Sequence, residues 1–203
     1  MILEAKNVSY AYPRRGRKPV LDQVNLTLQP GERVGLTAPS GSGKTTLCKL
    51  LAGYLSPDSG QVLLDGRPLS SVSGYSPVQM IWQHPELVLD PRIRLRDSLH
   101  EGGRVEARIL EALQIEPGWL DRFPSELSGG ELQRCCLARA LLPPVRFLLC
   151  DEITAMLDLI TQAQIWDFLL REAGRRDLGL LIVSHNTPLL ARLCDRITSW
   201  EEW

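Results

Sequence analysis

The sequence predicts an α/β fold built on a mostly parallel β-sheet, and three observations carry that expectation. The stretch "TAPSGSGKTT", Thr37 to Thr46, places a glycine-rich loop between an apolar run and a helix-forming run. In the C-terminal half, apolar strand patterns alternate with helical ones, the order that crossover connections in a parallel sheet require. An acidic pair, Asp151 and Glu152, closes one of those apolar strands, "RFLLCDE".

The elements follow in order. "ILEAKNVSYAY" and "VLDQVNLTL" alternate apolar and polar residues as half-buried strands do, and the basic loop "PRRGRKP" joins them. They supply N-terminal antiparallel strands. "PGE" makes a turn and "RVGLT" a short buried strand. A helix is expected from about Thr45 to Leu55, stopping before Pro57. "GQVLLDG" and "VQMIW" read as strands, with Asp65-Gly66 as a turn signal. From Gln83 to about Leu127 the pattern becomes polar and helical, as in "RVEARILEALQI", punctuated by Pro85, Pro91, Pro117 and Pro124. This is the candidate for an inserted helical subdomain. Alternation then resumes with helix "ELQRCCLARALL", strand "FLLCD", helix "TQAQIWDFLLREA", strand "LGLLIVS", helix "PLLARLC" and strand "RITSW".

The bulk numbers narrow the class. At 203 residues, 44% hydrophobic and 23% charged, the chain is long and apolar enough to bury a core. A net charge of -1 gives no global field for nucleic acid. No run approaches the roughly 20 apolar residues of a membrane helix, and "MILEAKNVSY" lacks the basic and apolar regions of a signal peptide. A cytosolic chain is expected, unless something carries it to a membrane surface. Five scattered cysteines without C-x-x-C spacing read as small buried hydrophobes in a reducing compartment.

The loop "APSGSGKTT", Ala38 to Thr46, fits the phosphate-binding pattern G-x-x-x-x-G-K-[ST] except that Ala38 replaces its first glycine. Gly41 and Gly43 let backbone N–H groups turn towards phosphate oxygens, with Pro39 and Ser40 before them and Ser42 between them. The helix N-terminus adds positive potential. Lys44 would reach the β- and γ-phosphates and the Thr45 hydroxyl would bind Mg²⁺. An alanine at positive φ would cost on the order of 1–2 kcal/mol, but this position is expected at the end of a strand, where a methyl is tolerated. Asp151 and Glu152 end a strand expected beside the loop, so Asp151 can hold the Mg²⁺ shell and Glu152 can polarise the attacking water. An acidic pair alone is more often a solvated turn or a helix cap. The loop upstream tips the balance to catalysis.

"ELSGGELQR", Glu126 to Arg134, opens a helix with Ser128, Gly129, Gly130 and Glu131 at its start, forming a second anion site. With the loop and the acidic pair in this order, the sequence resembles the ATP-binding-cassette ATPases over almost its whole length. The resemblance implies a phosphate-loop hydrolase fold in a single domain, 1–203. Residues 1–83 and 142–203 would form the nucleotide-binding core, and 84–141 the helical and signature subdomain. It implies ATP and Mg²⁺ as ligands. Gln83 in "MIWQHP" then matches the residue that touches Mg²⁺ or its water and links to the membrane subunit. His185 in "LIVSHN" matches the switch near the γ-phosphate, Asp158 in "AMLD" the loop that crosses the dimer interface, and Tyr12 in "SYAYP" the aromatic that stacks on adenine. Tyr10 is the alternative there. Two chains of this family sandwich two ATP molecules, each phosphate loop facing the other chain's Ser128-Gly129-Gly130 equivalent.

The finer resemblance is to the peptide and nickel importers, through "LDPRIRLRDSL", "LSGGELQRCCLARAL" and "LDLITQAQIWDFL", with Leu159 after Leu157-Asp158 leaning to the nickel branch. It implies a second ATPase subunit, identical or more often different. It also implies transmembrane permease subunits, an extracytoplasmic substrate-binding protein acting indirectly, and a place on the cytoplasmic face of the membrane, without nucleic acid. Ile153 replaces the usual proline, Met156 a small residue, and the sequence stops at Trp203 where the group continues. Functions housed in that extension are expected to be lost or supplied elsewhere. Arg92, Arg94 and Arg96 lie where the family docks its membrane partner and would face acidic groups there, or simply water. Arg14, Arg15, Arg17 and Lys18 read as a solvated loop, with anionic lipid or nucleic acid as alternatives. "WEEW" has no reading. A soluble cassette ATPase of cofactor or cluster assembly, and a degenerate ATP-binding scaffold, are the competing functions.

Overall fold

The structure, a computed structural model, describes residues 1–13 and 18–199. Arg14, Arg15, Arg17 and the "WEEW" stretch therefore lie outside the described residues. Strand β1 (Leu3–Tyr10) pairs antiparallel with β2 (Leu21–Leu28), and their alternating burial matches the alternation in sequence. Strand β3 (Arg33–Thr37) leads through the glycine-rich loop into helix α1 (Lys44–Leu51). β4 (Ser59–Leu64) and the two-residue β5 (Arg67–Pro68) complete a four-stranded sheet of order β2-β1-β4-β5. β6 (Val78–Ile81) is followed by two short helices, α2 (Leu95–His100) and α3 (Ala107–Ala112), among 3₁₀ turns. Helix α4 (Gly129–Ala140), strand β7 (Phe147–Asp151), helix α5 (Leu159–Arg176), strand β8 (Gly179–Val183), helix α6 (Thr187–Leu193) and strand β9 (Arg196–Ser199) finish the described chain.

The second sheet is all parallel, in the order β6-β7-β8-β3-β9. Every residue of β7 and β8 is buried, as expected where helices or a second sheet cover both faces. The pleat divides their side chains. Leu148, Cys150, Leu180 and Ile182 pack with α4, α5, α6 and the helical segment after β6. Phe147, Leu149, Leu181 and Val183 pack with α1 and the antiparallel sheet. Gly35 of β3 lies under α6, where a Cβ would come within 3.0 Å of the Cys194 sulfur.

Two expectations change. Helix α1 ends at Leu51 rather than Leu55, because Ala52 caps it and Gly53 turns the chain at φ +79°. In "RVEARILEALQI" only Ala107–Ala112 is α-helical, since Glu106 is extended and Gln114 takes φ +53°. The end of β7 lies beside the loop as expected, Thr45 bonding Asp151, although β8 separates β7 from β3 within the sheet. Helix α1, which leaves the loop, packs against β7.

Candidate functional site

The loop that follows β3, the residues after β6, the end of β7 and the residues after β8 all emerge at one edge, the C-terminal ends of parallel strands. Open α/β sheets place their ligand crevices at that edge. Ala38 follows Thr37 directly, is buried, and is not among the residues at positive φ, so its methyl is accommodated without strain. Gly41 and Gly43 carry the reversal, at φ +78° and +106°. Gly43 is doubly constrained, because a Cβ there would lie 2.8 Å from Val20 Cγ1. The Ser42 hydroxyl is buried in this loop and has no partner among the described residues.

Lys44, the first residue of α1, is folded back over the loop. Its Nζ donates to the carbonyls of Ala38 at 2.9 Å and Pro39 at 2.8 Å. Burial lowers its pKa, and the carboxylates of Glu152 and Asp151 oppose that shift. Next to it, Thr45 Oγ1 donates to Asp151 Oδ2 at 2.6 Å. Burial raises the Asp151 pKa against the pull of that hydrogen bond. Two hard oxygen ligands from different elements thus converge beside a buried ammonium, a donor set suited to Mg²⁺. Tyr12 also joins the loop helix: its hydroxyl lies 3.1 Å from Thr46 Oγ1, and its ring stands edge-on to Tyr10 at 5.1 Å. Tyr10 is buried while Tyr12 is 40% exposed, so Tyr12 has the free face.

Glu152 takes φ +51°, in the left-handed region that a long side chain occupies at a cost of about 1–2 kcal/mol. Its N–H continues the ladder to the Val183 carbonyl at 3.1 Å, and its carboxylate meets His185 Nε2 at 2.7 Å. The strained turn therefore aims the carboxylate along the sheet edge at the end of β8. Gln83, two residues past the pairing of Ile81 with Cys150, emerges at the same edge half-buried, without a side-chain hydrogen bond among the described residues.

Ser128, Gly129, Gly130, Glu131 and Asp158 gather elsewhere. Ser128 caps α4 in a reciprocal box: its Oγ accepts from Glu131 N at 3.4 Å, and its N–H donates to Glu131 Oε2 at 2.7 Å. Those bonds lower the Glu131 pKa. Asp158 caps α5 by accepting from the N–H groups of Ile160 and Thr161 and from the Thr161 hydroxyl. Both caps border one hollow of about 910 Å³ that also takes in Met156 and Arg134. Among the described residues no hydrogen bond or ion pair joins this hollow to the phosphate-type loop. A Cβ at Gly129 would meet nothing within 4 Å among the described residues, so none of them explains that glycine.

The departures also have places. Ile153 is buried, and Thr154 behind it accepts from Gln162 Nε2 at 2.7 Å and Trp166 Nε1 at 3.1 Å, so an apolar body rather than a ring fills that turn. Met156 is 66% exposed on the rim of the hollow. Two of the three arginines pair with carboxylates within the chain, Arg92 with Asp90 and Arg96 with Asp121, while Arg94 bonds the Asp121 backbone carbonyl and lies over Phe123. Not singled out from the sequence is the contact of Lys49 Nζ with the Trp82 ring, 5.1 Å from its centroid. Lys49 follows Thr45 by one helical turn, a spacing that puts both on one face of α1.

A phosphate-type loop running from a parallel strand into a helix, with a threonine–aspartate pair and a glutamate–histidine pair at the same sheet edge, defines a phosphate-loop nucleotide hydrolase. Residues 21–155 match the ABC transporter family model, and the chain belongs to that family as an ABC-type ATPase. It is 36% identical over 207 residues to the nickel import ATP-binding protein NikE of Rhodospirillum rubrum, covering 93% of this chain and 75% of that one. To the protein of the same name from Escherichia coli K12 it is 32% identical over 220 residues, covering 97% and 82%. Among solved structures, a dimeric ATP-binding cassette in a post-hydrolysis state with ADP and Pi superposes with TM-score 0.84 at 24% identity, covering 97% of this chain and 93% of that one. The ATP-binding subunit of an ABC transporter gives 0.83 at 24%, covering 98% and 85%. Among the described residues no helix is long and apolar enough to cross a membrane.

Proposed function

We propose that this ATPase is the energy-coupling subunit of a membrane importer for nickel or a related metal complex, with short peptides as the alternative cargo. The observation that carries the catalytic half is the 2.6 Å bond between Thr45 and Asp151 beside the buried Lys44. The likeness to nickel import ATP-binding proteins supports the cargo.

Residues 38–46 cradle the phosphates, with Lys44 turning from the loop carbonyls to the β- and γ-oxygens, and Tyr12 stacks on adenine. Thr45, Asp151 and Gln83 would hold Mg²⁺, which supplies charge neutralisation on the phosphates when bound. Glu152 accepts the proton of the attacking water as general base, and His185 orients that carboxylate and meets the γ-phosphate. Ser128, Gly129, Gly130, Glu131 and Asp158 face the nucleotide of a second ATPase subunit, a different chain in preference to an identical one. Residues 84–141 act as the helical subdomain on a core of 1–83 and 142–203. Permease subunits hold the assembly on the cytoplasmic face of the membrane, and a substrate-binding protein outside delivers cargo to them. Nucleic acid has no part in it.

The test is uptake of labelled nickel and of a labelled dipeptide in cells lacking this gene, rescued with wild type or with Glu152→Gln. Loss of nickel uptake, restored by wild type alone, is the expected result. Restoration by Glu152→Gln would remove the base from the mechanism, and two unchanged uptakes would remove the importer.

A further inference from the structure

The segment after β6 is stitched to α4 by three side chains in step. Gln133 Nε2 donates to the Trp82 carbonyl at 3.4 Å, the Cys136 thiol donates to the Pro85 carbonyl at 3.8 Å, and Arg139 Nη1 donates to the Val88 carbonyl at 3.3 Å. The donors recur at every third residue of α4 and the acceptors at every third residue of the segment. That spacing keeps successive donors on neighbouring turns of one side of the helix. The first rung is the most constrained. Gln133 is buried, and the Trp82 carbonyl is its one side-chain hydrogen-bond partner among the described residues. If that carbonyl shifts, Gln133 must follow or leave its amide unpaired away from water.

The Trp82 ring belongs to a different neighbourhood. Lys49 Nζ lies 5.1 Å from its centroid, and the Tyr54 ring packs against it at 5.5 Å, tilted by 59°. Lys49 lies in α1, one turn past Thr45, which bonds Asp151. One residue therefore has its carbonyl held by the helix that starts at Ser128 and its ring held by the helix that starts at the loop. An indole with two torsions has little freedom to absorb a relative displacement. The residue that follows it is Gln83.

We propose that Trp82 is a positioning residue, clamped on its ring by Lys49, that carries a displacement of α1 on nucleotide binding to Gln83 and to the N-terminal end of α4. The inference rests on residues 38–46 being the phosphate seat.

Amide hydrogen exchange of the purified full-length chain, with and without Mg²⁺ and ATP, tests it. In the wild type, ATP slows exchange at 39–46 and also changes it at 82–88 and 129–136. In Lys49→Met and Trp82→Ala the slowing at 39–46 persists, which also shows that these variants fold. Their response at 82–88 and 129–136 falls about two- to fivefold, the factor a cation–π contact of this kind supplies. Trp82→Phe keeps an aromatic face and restores most of it. A wild-type response at 39–46 with silence at 82–88 overturns the coupling and leaves the phosphate seat standing. An undiminished response at 129–136 in both Lys49→Met and Trp82→Ala does the same. No slowing at 39–46 in the wild type overturns the seat, and the coupling falls with it.

Discussion

At the residue scale, Ala38 and Gly43 show that a departure from a motif is judged by backbone angle. Ala38 sits outside the positive-φ region, whereas Gly43 lies at φ +106° with Val20 against its missing side chain. Ala38→Gly is therefore expected to leave ATP affinity within about twofold and to lower stability by about 0.4–1 kcal/mol, through the freer unfolded chain alone. Gly43→Ala is expected to lose at least about 1–2 kcal/mol and to weaken ATP binding, because both the angle and the space oppose it. Urea unfolding and titration calorimetry on the two variants give the comparison, and equal losses would contradict it. Glu152 is the converse case. A non-glycine at φ +51°, between β7 and His185, keeps an unfavourable angle that directs its carboxylate to the His185 ring. Nothing in "CDEIT" announces that angle.

At the element scale, helix α5 is anchored to α3 through Glu172. Its carboxylate is buried and receives Arg108 in two bonds, at 2.8 and 2.9 Å, and Arg175 in two more. Burial alone would raise its pKa, but the hydrogen bonds from Arg108 and Arg175 win and bring it to about 2. Because the folded pKa is depressed, the stabilisation is complete above the ordinary carboxylate value near 4.5 and disappears as pH falls towards 2. It amounts to on the order of 2 kcal/mol, reduced because Arg108 and Arg175 remain partly in water. Glu172→Gln should flatten that part of the acid limb in a denaturation series from pH 5 to pH 2. An unchanged slope would show that the cluster adds nothing. The cap at the start of α4 makes a second expectation: Ser128→Ala lowers stability by about 1 kcal/mol by freeing the N–H of Glu131. Thermal unfolding reads it directly, and an unshifted midpoint counts against the cap.

At the scale of the whole molecule, legibility depended on whether the signal was local. Strands β1, β2, β3, β7 and β8 were readable because alternation and short apolar runs are set by burial along one element. The glycine-rich loop and the helix start at Ser128 were readable because tight turns and helix starts need particular residue types at fixed spacing. The insertion of β8 between β7 and β3 was not readable, since strand order depends on contacts between distant segments. Nor was the join at Trp82, where a ring and a carbonyl serve two helices. The Ser128–Asp158 hollow sits apart from the phosphate-type loop, and among the described residues no neighbour would meet a Cβ at Gly129. Gly129→Asp should therefore keep ATP affinity on the isolated chain while abolishing hydrolysis in the assembled pair. Retained hydrolysis would contradict the sharing of sites between subunits.

The central claim is that Glu152 and Lys44 do separate work at one sheet edge, hydrolysis and phosphate binding. The measurement that tests it most directly is ATP binding and ATP turnover, side by side, for wild type, Lys44→Ala and Glu152→Gln in the assembled complex. Glu152→Gln should bind ATP within about threefold of wild type and turn it over at least ~100-fold more slowly, the scale of a lost general base. Lys44→Ala should lose the binding itself. Undiminished turnover in Glu152→Gln, or undiminished affinity in Lys44→Ala, would contradict the account.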